Sequence, residues 1–129
     1  MRDRPIILLA RAAVALVWLY NGLWCKLLGQ SPGHREIVAS AAEPLGLPTT
    51  AVLWLIGLAE VLIALWTLSG HSARWCALVQ TVLLVSMNAA GLLFGDHEIP
   101  EPGGMIVHNL VLIALVWLLA ETPDIRRTA

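Results

Sequence analysis

The apolar residues of this chain are gathered into four long runs separated by shorter polar stretches. The runs cover residues 6–28, 51–68, 75–94 and 105–120. Each is close to the roughly 20 residues that an α-helix needs to cross a hydrocarbon core about 30 Å thick. A lone spanning strand would leave its backbone unpaired, and the runs lack the alternation of a β-barrel. The pattern predicts an all-α, four-transmembrane-helix bundle in which residues 1–129 form a single transmembrane domain.

The connections between the runs carry their own signals. After the first run, Ser31-Pro32 and an apolar pattern over residues 34–42 predict a short capped helix lying along the membrane surface. Gly70 is expected to end the second helix, since glycine commonly takes the left-handed position that closes a helix. The pair Gly103-Gly104 precedes the predicted fourth helix and Pro123 follows it.

Composition supports a chain that faces lipid. Apolar residues make up 58% and charged residues 13% of the chain, against roughly a quarter charged in an ordinary globular protein. The formal net charge of −1 gives no reason to expect a nucleic-acid partner. Membrane lipid is the expected surrounding, with the chain either self-associating or forming a small subunit of a membrane complex.

The basic residues predict an orientation. With four spans, six of them fall on one side of the membrane and two on the other, which places both termini in the cytoplasm and suggests a bacterial cytoplasmic membrane. The first group is Arg2, Arg4, Arg11, Arg74, Arg126 and Arg127, and the second is Lys26 and Arg35. The same topology sets Cys25 and Cys76 at opposite ends of the bundle, too far apart for a disulfide.

Polar residues inside the runs are the candidate functional residues, because ionisable groups in a membrane are costly unless partnered. Glu60 is the central one. When sequence position is converted into depth, every helix contributes a polar residue to the middle-to-outer part of the bilayer. This predicted ligand-binding or polar cluster is Asn21, Lys26, Glu60, Asn88, His108 and Asn109.

Two interpretations of this cluster stay open. The asparagines are more readily explained as hydrogen bonds that hold helices together. For Glu60, either His108 or Lys26 could supply a partner, and such a pair suits proton exchange with a ligand or serves only as architecture.

Small residues predict where helices approach closely. Gly57 shares the face of Glu60, and Gly91 with Gly95 forms a GxxxG motif on the third helix. No metal site is predicted, since the His97, Glu98 and Glu101 loop matches no familiar ligand spacing. His34 and His71 are interpreted as ordinary interfacial residues.

Three segments resemble the DoxX-like family of small four-helix membrane proteins. They are Trp18-Leu-Tyr-Asn-Gly-Leu-Trp-Cys-Lys-Leu-Leu-Gly29, His34-Arg-Glu-Ile-Val38 and Gly57-Leu-Ala-Glu60. The resemblance implies a transmembrane bundle. It implies less about activity, because the family's namesake is associated with a thiosulfate:quinone oxidoreductase while other relatives are linked to redox-stress complexes or assembly.

Two functional hypotheses follow. In the first, a polar cavity in the outer half binds a quinone or lipid head group near Glu60, with no covalent cofactor, and the chain supports a membrane redox complex. In the second, the chain is a membrane scaffold or assembly factor whose polar residues are structural. Whether the chain is an enzyme is left open by the sequence.

Overall fold

The computed structural model describes residues 4–94, 99 and 101–122. Its helices are α1 (Arg4–Leu19), a π-helical segment (Tyr20–Leu27), α2 (Pro32–Ala42), a 3-10 turn (Glu43–Leu45), α3 (Thr49–Ser69), α4 (Ala73–Phe94) and α5 (Pro102–Glu121). The described residues include no strand. Four helices are long and apolar enough to cross a membrane, and the predicted all-α four-span architecture is confirmed.

The four long helices form a closed ring. α3 packs along α1 and the π segment, α4 packs on α3 and α5, and α5 also contacts α1. Between them lies a core of Val14, Ala15, Trp18, Ile63, Ala64, Ala77, Leu84, Leu112 and Val116. Long apolar side chains cover the outside of every span, as expected of a surface whose solvent is lipid.

α2 lies across one end of this ring. It contacts the π segment, α3 and α4, and its inner face carries the buried Ala42. Pro32 occupies the first helical position, where its missing N–H is not needed. Ser31 precedes it but makes no side-chain capping bond. The short helix predicted from the sequence is therefore present, and it closes one end of the bundle.

Helix ends follow the predicted signals only in part. Gly70 ends α3 in the left-handed conformation at φ 68°, as predicted. Gly103 and Gly104 lie inside α5, which begins one residue earlier at Pro102, because the fixed φ of proline favours the first turn of a helix. Gly95 and Pro123 lie outside the described residues.

The last eight residues of the first span depart from α-helical geometry. Tyr20–Leu27 form a π-helix, and the wider pattern continues at its end, where the Leu28 N–H donates to the Leu23 carbonyl at 2.8 Å. At its start the Asn21 side-chain amide donates to the Val17 carbonyl at 2.7 Å, and a side chain inserted into the hydrogen-bond ladder is a known cause of such departures. π segments are frequently found at functional sites.

Candidate functional site: a polar cavity under α2

A close crossing of two glycines sets the geometry of the site. A Cβ atom on Gly22 would lie 2.7 Å from the Gly57 carbonyl oxygen and 2.8 Å from the Glu60 Cβ, and one on Gly57 would lie 2.9 Å from the Lys26 Cβ. Only glycine fits at both positions, because real side-chain carbons do not approach so closely. The π segment and α3 therefore touch backbone to backbone, directly beside Lys26 and Glu60.

The π segment decides which residues face this crossing. In an α-helix, residues five apart are separated by about 140° around the axis, whereas the i→i+5 bonding of a π-helix brings them close to one face. Asn21 and Lys26 are five apart, and the Lys26 Nζ lies 3.3 Å from the Asn21 carbonyl oxygen. The local backbone thus turns Lys26 into the bundle.

Lys26 and Glu60 form a buried ion pair. The Lys26 Nζ lies 2.7 Å from the Glu60 Oε1, and the two side chains are only 3% and 1% exposed. The contact is ionic, and the buried Oε1 has no hydrogen-bond partner among the described residues. Removing one partner of such a pair strongly destabilises the fold, because it leaves an uncompensated charge in a low-dielectric interior.

His34 on α2 completes the surroundings of the ammonium. Its Nδ1 lies 3.1 Å from the Lys26 Nζ, and because an ammonium only donates, Nδ1 is the acceptor and the imidazole proton sits on Nε2. Burial, followed by the Lys26 charge, lowers the pKa of His34 from 6.5 to about 4. The imidazole is therefore neutral at pH 7, and the Lys26 Nζ is surrounded by the Glu60 carboxylate, His34 Nδ1 and the Asn21 carbonyl.

A second polar pair joins α4 to α5. The Asn109 Nδ2 donates to the Asn88 Oδ1 at 2.7 Å. An amide has two donor hydrogens and an acceptor oxygen, so the Asn88 amide nitrogen and the Asn109 amide oxygen keep hydrogen-bonding capacity. The bond holds the two helices together, as the structural interpretation of these asparagines requires, without using up their polar atoms.

Between the two polar groups lies a cavity of about 230 Å³. An engineered cavity of about 150 Å³ holds benzene, so this one has room for a substituted six-membered ring. Its polar lining is Asn21, Lys26, His34, Glu60, Asn88 and Asn109, and its apolar lining includes Trp18, Ile37, Val38, Leu84, Met87, Ile99, Met105 and Leu112. Every span and α2 contribute at least one of these residues.

The structure brings together five of the six residues of the predicted polar cluster. His108 is the exception, because its side chain is exposed on the outer face of α5 and does not line the cavity. It is one residue from Asn109, and a step of about 100° along a helix turns neighbouring side chains to different faces. The partner that the structure gives Glu60 is Lys26.

Sequence reasoning missed three residues of this site. His34 was interpreted as an interfacial residue because nothing in the chain links it to Lys26, eight positions earlier across a loop. Gly22 was not predicted as the close contact of Gly57, and Trp18 was not predicted to line the cavity. A signal was present for Gly22, because Gly22 and Lys26 share an i, i+4 spacing and both face Gly57.

The predicted glycine contacts differ in kind. Gly57 belongs to the tight crossing, whereas Gly91 faces α2 and residue 99, since a Cβ there would meet Ile99 at 3.4 Å and Ile37 at 3.8 Å. Gly95, His97 and Glu98 lie outside the described residues. Cys25 and Cys76 are both buried and unbridged.

Comparison with protein-family models matches residues 15–117 to the DoxX-like family. The match covers all of the cavity-lining residues, the second and third spans in full, and parts of the first and last spans. No curated protein and no solved structure matches the chain.

Proposed function

The chain belongs to the DoxX-like family, and from this premise we propose that it is a small membrane subunit that binds the head group of a membrane-soluble ligand, quinone-like or lipid, in the cavity under α2. In this proposal it supports a membrane redox complex. The observation that carries the proposal is a ring-sized cavity with a polar side chain from every span.

The lining suits an amphipathic head group. Trp18, Leu84 and Leu112 give flat and aliphatic contact surface, while the asparagine pair and the Glu60 carboxylate offer hydrogen bonds. Ligand sites in proteins are mostly apolar with a few polar groups that fix orientation. Charge also matters: Lys26 and Glu60 cancel and His34 is neutral, so the cavity provides no net attraction for a free anion.

The test is to purify the protein from membranes in mild detergent and identify co-purifying small molecules by mass spectrometry. Asn109→Leu replaces a cavity amide, and we expect it to reduce the retained ligand at least tenfold. His108→Leu is the matched control, since the neighbouring side chain lies outside the cavity, and it should retain the ligand. A ligand-free wild-type protein, or equal retention in both variants, would contradict the proposal.

A scaffold or assembly role remains the second candidate, and one observation favours it. The Lys26 ammonium is surrounded by three protein acceptors, which is the arrangement of an architectural ion pair. A ligand-free protein that co-purifies with one partner in fixed stoichiometry would support this role. In that case the exposed faces of the spans, or the ends of the bundle, are the contact surface.

A further inference from the structure

At Glu60 the cavity has a hydrogen-bond acceptor that no donor among the described residues satisfies. The Lys26 ammonium lies 2.7 Å from Glu60 Oε1 as an ion pair, and its hydrogen-bond contacts are with His34 Nδ1 and the Asn21 carbonyl. Oε1 is sealed from solvent. The other carboxylate oxygen, Oε2, has no donor among the described residues, and Glu60 lines the cavity. A charged acceptor therefore faces the ligand space.

The remaining groups of the cavity are neutral. The His34 Nε2–H and the Asn88 amide nitrogen are donors, and the Asn109 amide oxygen is an acceptor. Hydrogen bonds to an ionised acceptor are roughly twice as strong as those between neutral groups. The ligand group that contacts Glu60 thus contributes more to ligand selection than the groups that contact the neutral side chains of His34, Asn88 or Asn109.

We infer that this cavity selects a head group that presents a hydroxyl donor to Glu60, over the same ring carrying only carbonyl or ether oxygens. The inference rests on the proposed function and specifies its ligand class. A hydroxyl donates to Oε2 and keeps lone pairs that can accept a further hydrogen bond. A carbonyl or ether oxygen instead places its lone pairs against the carboxylate and leaves Oε2 without a donor.

The hydroxyl can belong to a phenolic ring, as in a hydroquinone, or to the polyol head of a lipid. Both are neutral and both donate, so the chemistry at Glu60 is shared. The apolar lining distinguishes them, because Trp18 and the leucines offer an apolar surface that suits a flat ring. A polyol would set its other hydroxyls against the same surface.

The experiment measures binding of small probes to the wild-type protein in nanodiscs of neutral lipid, with oxygen excluded. The probes are 2-methylhydroquinone, its dimethyl ether and 2-methylbenzoquinone, with monoacylglycerol as the polyol arm. We expect the hydroquinone to bind about tenfold more tightly than its ether, a ratio that corresponds to about 1.4 kcal/mol. Tighter binding of the monoacylglycerol than of the hydroquinone would identify the lipid source instead.

Glu60→Gln is the diagnostic variant, because a neutral amide accepts and donates and should bring the ratio of hydroquinone to ether close to one. His108→Gln, outside the cavity, should leave the ratio unchanged. If Glu60→Gln does not fold, the wild-type ratio alone decides. Equal binding of hydroquinone and ether by the wild type overturns this inference while the proposed function stands. If no probe binds, both the inference and the proposed function are wrong. If the preference for hydroquinone over ether persists in Glu60→Gln, Glu60 is not its cause and the inference is wrong.

Discussion

The two halves of the bundle solve the problem of buried polar groups differently. In the half around the α3–α4 turn, here called the turn half, the Trp18 Nε1 donates to the Gln80 Oε1 at 2.6 Å and the Gln80 Nε2 donates to the Cys76 carbonyl at 3.2 Å. These groups are neutral and bind one another, and the cavity beside them is only about 30 Å³, room for roughly one water.

The half under α2, here called the cavity half, contains a buried ion pair and a larger cavity. It has the Lys26–Glu60 ion pair, a π segment in place of regular helix and a cavity of about 230 Å³. The same four spans run through both halves, so average hydropathy does not distinguish them. The difference teaches that polar groups paired among themselves build a core, whereas polar groups left with spare capacity beside a void build a binding site.

The largest expected effect comes from breaking the ion pair of the cavity half. Lys26→Met leaves the Glu60 carboxylate without its cation, and we expect the free energy of unfolding to fall by about 3–5 kcal/mol. Reversible unfolding in mixed detergent micelles would measure it. The double variant Lys26→Met with Glu60→Gln should recover most of the loss, because it also removes the stranded charge.

The matched variant of the turn half is Gln80→Ala. It leaves the Trp18 indole N–H without its acceptor, a neutral group whose loss of partner costs about 1–3 kcal/mol. A loss as large as that of Lys26→Met would contradict the distinction between a buried ion pair in the cavity half and a buried neutral hydrogen-bond pair in the turn half.

Acid should weaken the cavity half selectively. The pKa of His34 is lowered from 6.5 to about 4. Between these pH values the His34 imidazole is therefore protonated in the unfolded chain and neutral in the folded chain. Stability is therefore constant above pH 6.5 and declines as the pH falls toward 4, with a ceiling of about 3 kcal/mol. His34→Gln removes the titrating group, so the free energy of unfolding should no longer depend on pH between pH 6.5 and 4. A slope that survives the substitution would assign the effect to another group.

Adding a side-chain carbon at the Gly22–Gly57 crossing should destabilise the cavity half more moderately. Gly22→Ala places a methyl group 2.7 Å from the Gly57 carbonyl oxygen, and overpacking of this kind costs about 1–3 kcal/mol. Gly33→Ala is the control, since nothing lies within 4 Å of an added Cβ there. Thermal unfolding of both variants beside the wild type would show whether the crossing is as rigid as the distances imply.

The smallest effect is expected from the interhelical amide pair. Asn109→Leu removes the 2.7 Å bond to Asn88, and interhelical hydrogen bonds in membrane proteins average about 0.6 kcal/mol. His108→Leu should change stability by less, because the side chain is exposed on the outer face of α5. A much larger loss at Asn109 would mean that the amide pair supports the cavity wall beyond its own bond.

Several features of the site were accessible from the chain alone. Counting residues along each span predicted that Asn21, Lys26, Glu60, Asn88 and Asn109 lie at a common depth, because the rise of a helix is fixed. Depth does not determine the direction in which a side chain points. His108 shares the depth of the cluster and faces outward. His34 was missed because it lies on α2, outside the spans, so that counting residues along a span does not locate it.

By itself the sequence determined the architecture: hydropathy and helix length define four spans, since a backbone in lipid must satisfy its own hydrogen bonds. It also identified the family and the residues that are too polar for lipid. Only the tertiary structure decided that Lys26 is the partner of Glu60 and that a ring-sized void lies between the polar pairs. The physical reason is that a π segment and a backbone contact between Gly22 and Gly57 rotate and draw together two helices by amounts that no pattern of hydrophobicity encodes.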